Sequence, residues 1–118
     1  MKYMLLIYHN EEANQAMPQE EVQAMIQEYG EFGQRMQAAG IEYSGDALHP
    51  VSTATTLRVR DGKSLTTDGP FAETKEQLGG FYIVDVENLD DALDLAAQIP
   101  DARGGSIEIR PIIDWSQQ

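Results

Sequence analysis

The chain contains no cysteine, and that one absence removes disulfides, thiolate metal sites and cysteine nucleophiles together. It is also poor in positive charge. Eight Lys and Arg stand against twenty Asp and Glu, a formal charge of -12, so a phosphate backbone is repelled and direct nucleic-acid binding is not expected. No stretch approaches the roughly 20 apolar residues of a membrane span. The apolar run Met1 to Tyr8 is too short for a secretory signal core with its cleavage site. These absences together lead to the expectation of a cytoplasmic protein without a membrane partner.

What is present suits one domain. A length of 118 residues with 42% hydrophobic and 24% charged content is enough for a single core, so residues 1–118 are expected to form one unit.

Lys2 to Tyr8 is a short continuous apolar run, which predicts a buried first strand. Pro18 followed by Glu20 and Glu21 marks a helix start, since proline is tolerated in the first turn and acids complement the helix dipole. Behind them Val22, Met25, Ile26, Tyr29, Phe32 and Met36 recur at three- and four-residue steps, predicting one apolar stripe on a helix that Gly40 ends. Gly30 and Gly33 lie inside that helix, where close packing is their expected reason. Ile41 to Leu48 reads as a second strand interrupted at Ser44-Gly45-Asp46, where glycine makes a bulge or bend the expectation. Thr53 to Arg60 and Lys63 to Thr67 flank Asp61-Gly62, a strong hairpin signal. Gly79 to Val86 supplies another strand. Asn88 then caps a helix with Leu89, Ala92, Leu93, Ala96 and Ile99 as its expected buried face, closed by Pro100. Ser106 to Ile113 alternates apolar and charged residues as a half-buried strand does.

The order is βαββαβ with an extra hairpin strand, which predicts an α+β fold of ferredoxin-like type with two helices on one sheet face. The other face then needs cover and no third long helix exists, so a homodimer packed face to face is expected.

Between the hairpin and the next strand lies Asp68-Gly69-Pro70-Phe71-Ala72-Glu73-Thr74-Lys75-Glu76, a short loop with three acids and one lysine where a scaffold commonly displays a site. An Asp before Gly usually bonds the N–H two residues on, but Pro70 has none. Gly69 is biased toward extended backbone by the proline after it. Thr74 and Gln77 have capping-box spacing, predicting a single helical turn. Two readings stay open. In one, Asp68 fixes the loop through the amide of Phe71 or Thr74, and Phe71 plugs the core. In the other, Asp68 is a general base or ligand acceptor in a partly dry cleft, with Lys75 binding an anionic group or pairing with Glu73 or Glu76.

His9 follows the first strand and His49 the second, both places from which a base reaches a cleft. They form no zinc motif, so no metal and no cofactor is expected. Gly79-Gly80 lacks a phosphate-loop context, and Arg58, Arg60 and Arg110 are expected to pair with surface carboxylates.

The run from Asp68 to Gly80 resembles the signature of the DGPF branch of the YCII-related family. Met1 to Tyr8, Ala54-Thr55-Thr56-Leu57-Arg58 and Glu108-Ile109-Arg110-Pro111 resemble it as well. The resemblance implies a dimeric α+β barrel. It also implies a catalytic pair made by the Asp of the Asp-Gly-Pro motif and a helix histidine, which in this sequence fall on Asp68 and Tyr29. The candidate site is therefore Asp68 and Tyr29 as catalytic residues, with His9, Gly69, Pro70, Phe71, Glu73 and Lys75 as ligand-binding residues. Two functions fit: a small-molecule enzyme with a cleft at the dimer and Asp68 as acid or base, or a non-catalytic ligand-sensing or protein-binding module. The resemblance implies association with extracytoplasmic-function sigma factors, a regulatory setting for the second.

Overall fold

The computed structural model describes residues 1–117. Strand β1 (Lys2–His9) is followed by a short helix α1 (Glu11–Gln15), a long helix α2 (Gln19–Ala38) and strand β2 (Tyr43–Ala47). A hairpin of β3 (Thr55–Arg60) and β4 (Lys63–Asp68) comes next, then β5 (Gln77–Asp85), helix α3 (Leu89–Ala96) and β6 (Ser106–Pro111). Four strands form an antiparallel sheet in the order β2-β5-β1-β6. The fold is mixed α+β and, among the described residues, no barrel closes.

The core follows from the period-two pleat. Tyr3, Leu5 and Ile7 of β1 pair across the sheet with Val84, Tyr82 and Gly80 of β5, so they share one face. Against this face pack Phe32 and Met36 of α2, Ala92 and Leu95 of α3, and Ile99 beyond it. Met4, Leu6 and Tyr8 alternate to the opposite face beside Ile83 and Phe81, half-buried and with no helix over them. No helix of the described residues is long and apolar enough to cross a membrane.

Several expectations change at this level. The apolar stripe of α2 is buried only in its C-terminal half: Phe32 and Met36 are covered, while Val22 and Ile26 stand exposed where the helix runs past the sheet. In α3, Leu95 is buried and Leu89 and Leu93 are not, because the sheet lies under the Ala92-Leu95-Ala96-Ile99 line of the helix. Gly33 meets the Tyr43 hydroxyl, 3.1 Å from where a Cβ would stand. Gly30 has nothing within 4 Å, so packing explains only one of the two. The polar stretch after His9, given no element by its pattern, forms α1 because the Asn10 side chain accepts the N–H of Ala13.

The hairpin turns at Asp61 and Gly62, both with positive φ as a two-residue turn of this hand requires. It does not join the main sheet: β3 and β4 pair only with each other. The result is an arm carrying exposed Leu57, Val59 and Leu65. The radius of gyration, 16.6 Å, accordingly exceeds the about 13–14 Å of a compact chain this long.

Candidate functional site

A cavity of about 410 Å³ lies at the His9 end of the sheet, on its helix-covered side. Its walls are Ile7 and His9 of β1, Tyr29 of α2, residues 45–48 at and after β2, residues 79–82 of β5, and Asp101. Asp101 arrives from the other end of the chain, on a 3₁₀ turn Pro100–Ala102 that opens with proline at a position where its missing N–H does no harm. Its carbonyl accepts the Gly105 N–H at 2.7 Å, which folds the turn toward β6. Contacts at the surface hold α2 against this connection. Arg103 pairs with Glu28 at 2.7 Å and the Arg35 side chain donates to Gln98 at 3.0 Å.

Inside the cavity, the Tyr29 hydroxyl donates a short hydrogen bond to Asp101 Oδ2. His9 Nδ1 lies 3.8 Å from Asp101 Oδ1, close enough to feel its charge and too far for a hydrogen bond. Among the described residues Asp101 is the only buried charged one, and His9 Nδ1 is the only fully buried side-chain polar atom without a hydrogen-bond partner. Buried polar atoms are ordinarily satisfied, so an orphan beside a carboxylate is the kind of exception that marks a site. Burial, reinforced by the bond to the Asp101 carboxylate, pushes the Tyr29 phenol well above the usual tyrosine range. The phenol therefore stays protonated and fixes the carboxylate.

The imidazole fits because of Gly79. Ile7 pairs with Gly80 and Tyr8 with Leu78, so Gly79 is an extra residue bulged out of β5 opposite β1. A Cβ there would stand 2.8 and 2.9 Å from the ring nitrogens of His9 and closer still to Cε1. Gly80 is demanded by the neighbouring strand, since its Cβ would meet the Asp46 carbonyl at 2.9 Å. The Gly79-Gly80 pair thus seats a histidine and a strand.

Of the residues expected to form the site, the structure brings Tyr29 and His9 together and leaves the others outside this cavity. Asp68 is exposed at the end of β4, and its carboxylate makes no hydrogen bond among the described residues. Among the described residues the loop-fixing bond does not form, and Asp68 is exposed. The loop is held through Gly69 instead: its N–H donates to the Ala54 carbonyl at 2.6 Å and its carbonyl accepts from the Thr56 hydroxyl at 2.8 Å. Gly69 is not extended but has φ +95, a conformation glycine alone adopts freely. Pro70, Phe71 and Glu73 are exposed, and Phe71 is no core plug at 79% exposure. Lys75 lines a separate depression with Glu11, Glu12 and Gln77. Thr74 and Gln77 form no helical turn, because Gln77 already begins β5. Its side chain donates to the Thr74 carbonyl at 2.7 Å and accepts the Glu11 N–H at 3.0 Å. No group of three or more metal-ligating side chains occurs among the described residues. The residues that line the cavity all come from one chain.

Asp101 is the residue that sequence reasoning missed. Its only local signal is Pro100 before an acid at a helix end, which says turn and nothing about burial. A larger depression, about 840 Å³, lies at the other end of β1 around Lys2, Asp85 and Trp115. All three are solvent-exposed, and no buried titratable group faces it, so size alone does not select the site.

Comparison with known proteins agrees with a family assignment. The model of the YCII-related domain matches residues 1–116. An uncharacterised protein of Rhizobium meliloti (strain 1021) is 39% identical over 114 residues, covering 95% of this chain and 92% of that one.

Proposed function

The chain belongs to the YCII-related family, and from the site it carries we propose that it is a small-molecule enzyme in which His9 exchanges a proton with the ligand. The observation that carries this reading is the buried, unpartnered Nδ1 of His9 facing the Asp101 carboxylate. Histidine is suited to general acid and base work near neutral pH, and a carboxylate beside it stabilises the imidazolium that forms. The 3.8 Å separation is short enough for the carboxylate to act on the imidazole and can tighten when a reacting ligand binds. Tyr29 acts through Asp101 as a positioning residue, because its own proton is committed to the carboxylate. The acid or base role therefore falls to His9 with Asp101.

Proton transfer can be read without knowing the natural substrate. In D2O, with a panel of small ketones and amino ketones followed by proton NMR, the wild-type protein should accelerate hydrogen exchange beside the carbonyl. His9→Gln should lower that rate by about 10²-fold or more, the low end of what a positioned acid–base group supplies. Equal rates in the two proteins would remove the proposal.

The order β2-β5-β1-β6 with α2 and α3 on one face supports reading the fold as ferredoxin-like. The Asp68-Gly69-Pro70-Phe71 run supports the DGPF branch of the family. The uncovered face with Met4, Leu6, Tyr8 and Ile83, together with the apolar arm, supports a homodimer. A two-stranded hairpin is marginal alone in water and gains most by packing on something. Sedimentation at micromolar concentration should give a dimer mass, and a strictly monomeric species would count against it.

A further inference from the structure

The cavity contains a carboxylate that is short of donors. The Asp101 side chain is only 10% exposed, and an ionised carboxylate has about four acceptor positions to satisfy. Tyr29 satisfies one, on Oδ2. No residue among those described donates to Oδ1, and the nearest cationic candidate, His9, stands beyond hydrogen-bond reach. A buried charge left this way is unfavourable until a donor arrives.

The rest of the cavity narrows what that donor is. No lysine or arginine lines it, so an anionic ligand would meet Asp101 with nothing to neutralise it, inside a chain already carrying -12. The walls include Tyr29 of α2 with Tyr82 and Ile7 on the helix-covered sheet face, while Phe81, whose side chain points to the opposite face, contributes its backbone. Aromatic faces attract cations and apolar walls suit a hydrocarbon body.

We propose that the cavity binds a compact organic ammonium ion, its N–H groups donating to Asp101 Oδ1 and its apolar body lying against Tyr82 and Ile7. This rests on reading the cavity as a small-molecule site and specifies the ligand class. The ammonium also offers a donor to His9 Nδ1, which has no hydrogen-bond partner among the described residues.

Three probes of one shape and different charge test it: 2-phenylethylamine, 2-phenylethanol and 3-phenylpropanoate, titrated at neutral pH and followed by amide NMR. The amine should bind at least tenfold more tightly than the alcohol, with shifts at His9, Tyr82 and Asp101, and the carboxylate should not bind detectably. In Asp101→Asn the amine should fall about tenfold, to the level of the alcohol. A carboxylate that binds as well as the amine, an amine indifferent to Asp101→Asn, or no binding of any probe at millimolar concentration would overturn the proposal. The comparison among probes in the wild-type protein stands even if the variant folds poorly. The two readings also fail separately. Amine selectivity without His9-dependent hydrogen exchange would remove the enzyme and leave the binding site.

Discussion

Phe32→Ala is expected to lower the unfolding free energy by about 3–5 kcal/mol, measured as a shift in the urea midpoint at constant slope. Phe32 has no solvent exposure, lies where α2 meets the sheet, and packs edge-on to Tyr82 with ring centroids 5.3 Å apart. Removing the ring takes away its transfer free energy and leaves a void that a long helix and a four-stranded sheet cannot close by moving together. Domains of this size hold only about 5–15 kcal/mol in total, so the variant should be near the edge of folding. The loss should reach the site as well, since Tyr82 lines the cavity and has Phe32 against its ring. A change under about 1 kcal/mol would mean that α2 does not pack on the sheet in this way, because fully buried aromatic truncations do not come so cheaply.

Gly79→Ala should abolish the His9-dependent hydrogen exchange almost as completely as His9→Gln, with a stability loss of about 1–3 kcal/mol. In most strands alanine is the better residue, because glycine loses more conformational entropy on folding. Here the added methyl would occupy the imidazole's place, 2.8 Å from Nε2 and 2.9 Å from Nδ1. Either the ring rotates away from Asp101 or the bulge in β5 flattens, and both dismantle the site. Gly79→Ala and His9→Gln should be non-additive in exchange rate, since both remove the same group from the same place. Full activity in Gly79→Ala would show that His9 does not work from the position it occupies beside Asp101.

These two residues also show how unevenly the sequence speaks. Phe32 and Met36 could be placed in the core from spacing alone, because a helix that packs on a sheet must repeat apolar residues at three- and four-residue steps. The same spacing predicted burial for Val22 and Ile26, which are exposed. Periodicity shows which side of a helix is apolar, not how far along the helix the partner surface extends. The Gly79-Gly80 pair stood out in the sequence without an explanation. Its reason is a non-local one, a histidine from β1 and a carbonyl from β2.

The prominent loop lies away from the cavity for a physical reason. Asp68 drew attention because Pro70 denies it the usual local hydrogen bond. That reasoning was sound about the missing bond and silent about where the carboxylate ends up. The hairpin forms its own two-stranded arm and carries Asp68 to solvent. Tyr29, named through resemblance alone, lines the cavity and hydrogen-bonds Asp101.

By itself the sequence determined the element order, the Asp61-Gly62 turn, the Asn88 cap and the strand faces, because each depends on residues a few positions apart. It also determined the charge of -12 that weighs against anionic ligands. Only the tertiary structure decided the site. Tyr29 and Asp101 are 72 residues apart, and what joins them to His9 is the pairing of β5 with β1, its one-residue bulge, and the turn after α3. A carboxylate's burial and an imidazole's missing partner are properties of that meeting, and no local pattern in the chain encodes them.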